Sequence, residues 1–217
     1  MINVLIVSTL YLILFGSLEI AKNRFKLNTE ITRKVAHILS GISSALLPFV
    51  LSFTEIAILA TIFIVVMFIS KRSHIFTAIH GVKRQTYGEV YFPLAILISA
   101  IIFPIQLIYT YGLLIMGISD GLASILGQAY KSKEFRLFKN HHKTYAGSGA
   151  FFVSATIIGC GLVGIFYIFS PIAMLMMIIL AAALTIIEAL SPKGMDNIFL
   201  PIAANCLLLG ALAIVPR

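Results

Sequence analysis

The chain has 217 residues, 60% of them hydrophobic and only 11% charged, with a formal net charge of +8 and a mean hydropathy of +1.05. This lies far outside the soluble globular range, so it excludes an ordinary water-soluble domain and describes a polytopic membrane protein. Any chemistry must then be built from helix ends and short loops.

A spanning helix takes about 20 mostly apolar residues. Stretches of that kind lie at about 2–20, 36–53, 55–70, 91–108, 110–129, 148–169, 171–190 and 197–215. The expected fold is all-α: a transmembrane helical bundle of about eight spans, with seven as the alternative count, forming a single integral membrane domain over 1–217. The first span has no basic segment before it and no small-residue cleavage site after it, which argues against a removable signal peptide.

Basic residues collect in cytoplasmic loops. Here Lys22 to Lys34, Lys71 to Arg84, Lys131 to Lys143, and Lys193 follow spans one, three, five and seven, placing fifteen of the sixteen Lys and Arg residues on one side. Both termini are therefore expected on the side opposite the cytoplasm. The active site is expected on the cytoplasmic face, because Glu89, Asp120, Glu188, Asp196 and all five histidines fall on that same side. Topology and anionic lipid explain the cations. They do not explain the carboxylates, and a cation held by carboxylates, with basic groups around phosphates, uses both signs in one place.

Four clusters carry the chemistry, in chain order. In Arg33-Lys34-Val35-Ala36-His37-Ile38-Leu39-Ser40-Gly41, Arg33 and His37 share a helix face; snorkelling accounts for Arg33 and Lys34, and His37, a turn deeper, is the better candidate. Asp120 stands in an otherwise apolar run from Leu113 to Gly127. A carboxylate at that depth costs about 2.5–3.5 kcal/mol on insertion scales, so it requires a partner, a cation or water. Gly121 and Gly127 suit either a ligand or close helix packing. In Lys143-Thr144-Tyr145-Ala146-Gly147-Ser148, a loop enters a helix N-terminus, where backbone N–H groups favour a phosphate; an ordinary cap would also account for Ser148. Last, Glu188 lies inside an apolar span, while Lys193, Asp196 and Asn197 stand at the following helix start, where capping is the plain alternative for Asp196. Tyr87-Gly88-Glu89 before span four is read either as closing the site or as an interfacial anchor.

Taken together and in this order, the clusters resemble the polyprenol kinase family: dolichol, phytol and farnesol kinases and the CTP-dependent diacylglycerol kinase of yeasts. The resemblance rests on Arg33-Lys34-x-x-His37-x-x-x-Gly41, on Gly117-x-x-Asp120-x-x-Ala-x-x-x-Gly127, on Lys143-Thr144-x-x-Gly147-Ser148-x-Ala150, and on Glu188 with Asp196-Asn197-x-x-x-Pro201. It spans residues 33–201. The chain has Ser119-Asp120 where the family often has Gly-Asp, and Ala146-Gly147 where it often has Glu-Gly.

The resemblance implies Mg2+-dependent transfer of the γ-phosphoryl group of CTP to the hydroxyl of an isoprenoid or other lipid alcohol. Asp120 and Asp196 are then expected to hold the metal, and Asp120 or Glu188 to receive the hydroxyl proton. Lys143, aided by Arg33, Lys34 or Lys193, is expected to neutralise the phosphates. His37, Gly121, Gly127, Thr144, Gly147, Ser148 and Asn197 complete the expected nucleotide site. Preference for cytidine comes from the resemblance alone.

Two other functions compete. A phosphatidate cytidylyltransferase also joins CTP to a lipid, but the Asp-Arg-x-Asp signature of that family is missing here. A small ion-coupled transporter would want polar groups near mid-membrane and paired repeats, whereas these lie toward one side. Cys160 and Cys206 read as core residues, and His141-His142 lacks the spacing of a metal site. Topology accounts for the positive charge, so nucleic acid is not an expected partner.

Overall fold

The computed structural model describes residues 2–73, 87–130, 132–138, 141–166, 170–192 and 194–214. Eight helices are described: α1 (Ile2–Phe25), α2 (Thr29–Ala45), α3 (Phe53–Arg72), α4 (Gly88–Ile102), α5 (Gln106–Ala129), α6 (Tyr145–Phe166), α7 (Pro171–Leu190) and α8 (Asp196–Ile214). Six of them, α1, α3, α5, α6, α7 and α8, are long and apolar enough to cross a membrane. Their outward faces carry large apolar side chains such as Ile157 and Ile165, 66% and 77% exposed, a surface that water would not tolerate and lipid tails do. The chain is an all-α, multi-pass integral membrane protein.

The expected spans 36–53 and 91–108 differ from what is found, and proline is the reason both times. Helix α2 starts earlier, at Thr29, where the Asn28 side chain accepts from the Glu30 N–H at 2.8 Å. It ends at Ala45 and gives way to a short 3-10 turn at Leu47–Phe49 that contains Pro48. Pro48 has no N–H for the Ser44 carbonyl, and its ring disfavours helical geometry at Leu47. Likewise Pro104 ends α4 at Ile102, and α5 begins at Gln106, four residues before the expected start of span five. With 17 and 15 residues, α2 and α4 fall short of the usual 20.

Two apolar cores flank α5. One joins α5 to α1, α2, α3 and α4 through Tyr109, Leu113 and Met116; the other joins it to α6, α7 and α8 through Ile108, Tyr111 and Ile115. Gly41 of α2 and Gly117 of α5 touch so closely that a Cβ on either would overlap the other's backbone. Small residues allow this approach where lipid offers no hydrophobic drive for helix pairing. Interhelical hydrogen bonds add to it: Thr110 Oγ1 donates to the Ala45 carbonyl at 2.9 Å, and Asn205 Nδ2 to Ser99 Oγ at 3.1 Å. Between α5 and α6 a two-stranded antiparallel hairpin, β1 (Glu134–Phe138) and β2 (His141–Thr144), pairs Glu134 with Thr144 and Arg136 with His142.

Candidate active site

At Ile115–Ser119 helix α5 makes one π-helical turn, in which the Asp120 N–H reaches the Ile115 carbonyl instead of that of Met116. Such turns recur at functional sites because they redirect side chains and carbonyls. Here the Met116 carbonyl accepts from His37 Nε2 at 2.9 Å, and Asp120 Oδ2 lies 3.4 Å from the same nitrogen. A carbonyl can only accept, so His37 carries its proton on Nε2. His37 and Asp120 are thus fixed face to face across the α2–α5 crossing that Gly41 and Gly117 close.

They border a cavity of about 740 Å³. Its charged half is formed where the ends of several helices meet: Arg33, Lys34 and His37 from α2, Glu89 from α4, Asp120 and Gly127 from α5, Glu188 from α7, and Asp196 and Asn197 from α8. Lys143 and Thr144 of β2, with Gly147 and Ser148 of α6, complete it. Lys143 Nζ donates to Glu188 Oε1, joining the hairpin to the end of α7. Asp120 acts electrostatically on both Glu188 and Asp196, as do Lys34 and Lys143 with opposite sign. Three carboxylates and two lysines therefore face one space. Arg33 pairs with Glu30 at 3.1 Å.

The two interpretations of the α6 entrance separate here. Thr144 Oγ1 accepts from the Gly147 N–H at 3.1 Å and is the cap. Ser148 Oγ is buried, lines the cavity and has no hydrogen-bond partner among the described residues; the same holds for Arg33 Nε, Glu188 Oε2 and, deeper in the cavity, Ser40 Oγ. Buried polar atoms rarely stay unpaired, so the three in the charged half, Ser148, Arg33 and Glu188, mark where a polar ligand belongs. Asp196 is the first helical residue of α8 and accepts from the neighbouring Asn197 N–H at 3.0 Å, while Asn197 Nδ2 donates to the Gly88 carbonyl at 2.7 Å, tying α8 to α4. Asp196 also lines the cavity.

The expected glycines behave differently from one another. Gly127 and Gly147 line the cavity and also pack together, since a Cβ on either would lie 3.4 Å from the other's Cα. Gly121 is outside the cavity lining and is pressed against Ile38 of α2. Lys193 lies outside the described residues.

Several lining residues went unnoticed in the sequence. Ser124 and Gln128 follow Asp120 at four-residue spacing, and Ser40 and Ser44 follow His37 at three and seven. Extending the helical period from each singled-out residue would have found all four. Glu134 and His142, which pair at 3.3 Å on the hairpin, lie in a stretch whose alternation, Phe135 and Leu137 between polar residues, is too short to mark a strand by itself. Among the described residues, no three His, Cys, Asp or Glu side chains gather closely enough to hold a metal ion by themselves.

The cavity's other half is apolar, walled by residues of α1 to α4 that include Phe15, Leu59, Phe63 and Ile96. Phe92 stands at the border, edge-on to His37 with ring centroids 5.3 Å apart.

Over 188 residues the chain is 26% identical to a phytol kinase of Synechocystis sp., an alignment covering 84% of this chain and 80% of that protein. This relationship supports membership of the polyprenol and phytol kinase family. No family model and no solved structure matches the chain.

Proposed function

We propose that the protein is a membrane kinase that transfers the γ-phosphoryl group of CTP to the hydroxyl of a lipid alcohol. The observation that carries this reading is the single cavity with a charged half and an apolar half, meeting at His37 and Asp120. A nucleoside triphosphate and a greasy alcohol have opposite solvation needs, and this cavity offers each its own environment. The relationship to a phytol kinase points to the same reaction class.

Phosphoryl transfer asks little covalent chemistry of the protein; it asks for alignment and charge. Lys143 and Lys34, with the unpaired Arg33 Nε and Ser148 Oγ, supply donors for the phosphate oxygens. The α6 N-terminus adds its own partial positive charge. Glu188 Oε2 and Asp120 are the carboxylate oxygens available to receive the hydroxyl proton.

Mg2+ commonly uses only one or two carboxylates, with waters and substrate phosphates filling the remaining positions. Asp120 and Asp196, two carboxylates acting on one another across the cavity, suit that demand without a third protein ligand. Bound there, the ion would neutralise charge on the transferring phosphate. We place CTP ahead of ATP on the motif resemblance.

The test is transfer of label from γ-labelled CTP, and from ATP in parallel, to a panel of lipid alcohols by protein purified in bilayer discs with Mg2+. Labelled lipid phosphate is expected, falling by roughly 10²–10³-fold in Asp120→Asn. Label released as pyrophosphate would instead establish cytidylyl transfer. Ion-driven uptake without nucleotide would establish a transporter.

A further inference from the structure

The proposed reaction seats the nucleotide in the charged half of the cavity and the alcohol beside it, and the shape of the apolar half bears on which alcohol that is. That half lies among α1, α2, α3 and α4, and its principal walls are Tyr11, Phe15, Leu59, Phe63, Met67 and Ile96, all buried. Protein interiors are packed as densely as organic crystals, so an apolar void of this kind is costly unless something fills it. Along α3 the lining runs from Met67 down to Leu59, eight residues, or about 12 Å at the helical rise. The lining of α2 and of the turn that follows it changes character in step, from Arg33 and His37 through Ser40 and Ser44 to Leu47, that is from cation to hydroxyl to aliphatic.

The inner end is built with particular rigidity. Tyr11 OH and Ser44 Oγ are hydrogen-bonded at 2.8 Å, and Ser43 Oγ donates to Tyr11 OH at 3.0 Å. The Tyr11 ring meets Phe63 edge-on, with centroids 5.2 Å apart. A phenol whose oxygen is held by two serines and whose ring is packed on phenylalanine is fixed in place.

We propose that this apolar arm binds the hydrocarbon tail of a single-chain lipid alcohol, with the hydroxyl directed toward His37 and Asp120, and that Tyr11, in its inner part, limits the length of tail accepted. The inference rests on the lipid alcohol kinase reading and adds the substrate class to it. Continuity identifies the occupant, because the arm opens directly into the charged half at Phe92 and His37. Sugar and phosphate groups would lose their hydration there without gaining hydrogen bonds, whereas each buried methylene of a tail is worth roughly fourfold in affinity. One channel among four helices takes one chain, so a two-chain glyceride fits it poorly.

The experiment compares kcat/KM for prenyl alcohols of ten, fifteen, twenty and more carbons, and for diacylglycerol, in wild type, Ala60→Phe and Tyr11→Ala. In parallel, a prenyl alcohol with a diazirine at its tail end is photo-crosslinked without nucleotide and the labelled peptides are mapped. Ala60 lines the inner part of the arm beside Leu59 and is 2% exposed. Ala60→Phe is expected to penalise the twenty-carbon alcohol at least about tenfold more than the ten-carbon one. Tyr11→Ala is expected to shift the optimum to longer tails, a gain that misfolding cannot produce. Crosslinks are expected at residues of α1 and α3 that wall the arm.

Unchanged length selectivity in both variants, with crosslinks elsewhere and transfer intact, would overturn the tail site and leave the kinase reading standing. Crosslinks in the arm without transfer to any alcohol would overturn the kinase reading and leave the tail site standing. A copurified phospholipid in the arm that the alcohols do not displace, or diacylglycerol outperforming every single-chain alcohol, would also overturn the inference.

Discussion

Lys143 and Glu188 form an ion pair at the edge of the cavity. Glu188 is only 3% exposed, and removing one member of a buried pair leaves the other's charge uncompensated, typically at about 3–5 kcal/mol. Lys143→Met is therefore expected to lower the thermal unfolding midpoint markedly. Lys143→Met with Glu188→Gln should recover much of that stability while transfer stays at the level of the single variant. Recovery of both would mean that the lysine serves folding alone. At this scale much of the site can be seen in the sequence, because a charged residue inside an apolar run stands out against its background. Asp120 and Glu188 were conspicuous for that reason. Ser40, Ser124 and Gln128 were not, since hydroxyls and amides are ordinary in membrane helices and only the three-dimensional face they share gives them meaning.

Between residue and fold, the elements that matter most are the α2–α5 crossing and the π turn. Gly41→Ala puts a methyl group into the backbone of Gly117. It is expected to cost about 1–3 kcal/mol and to lower transfer further by separating His37 from Asp120, as measured by denaturation in mild detergent and by turnover. The π turn holds one residue more than the α turn it replaces. Deleting Ile118 would restore a regular helix and leave the downstream face, Asp120 included, nearly where it is. That variant is expected to remain membrane-inserted and helical by circular dichroism, with transfer lowered because the Met116 carbonyl regains an intrahelical partner and releases His37. None of this is written plainly in the chain: the glycines at 41 and 117 were visible, but which glycine meets which is a tertiary fact. The helix ends at Pro48 and Pro104 were available from local chemistry, yet hydropathy carried the predicted spans straight through them.

For the whole molecule, the arrangement of helix ends makes a directional prediction. With the two native cysteines replaced, Ser73→Cys should react with an impermeant thiol reagent from the cytoplasmic side, and Ser52→Cys only from the opposite side. Labelling of both from one side would undo the assigned topology. The placement of charge along the chain is what predicts that orientation, whereas the joining of the clusters in one cavity needed the packing of the helices. The cavity also has a kinetic consequence. In the proposed reaction one partner reaches it from water and the other from the bilayer, so the acceptor is counted per lipid molecule and the donor per litre. Diluting the vesicles with buffer at fixed nucleotide concentration should then leave the turnover of each protein unchanged. Diluting the acceptor with inert lipid should slow it, and a Michaelis constant for the alcohol is properly a mole fraction.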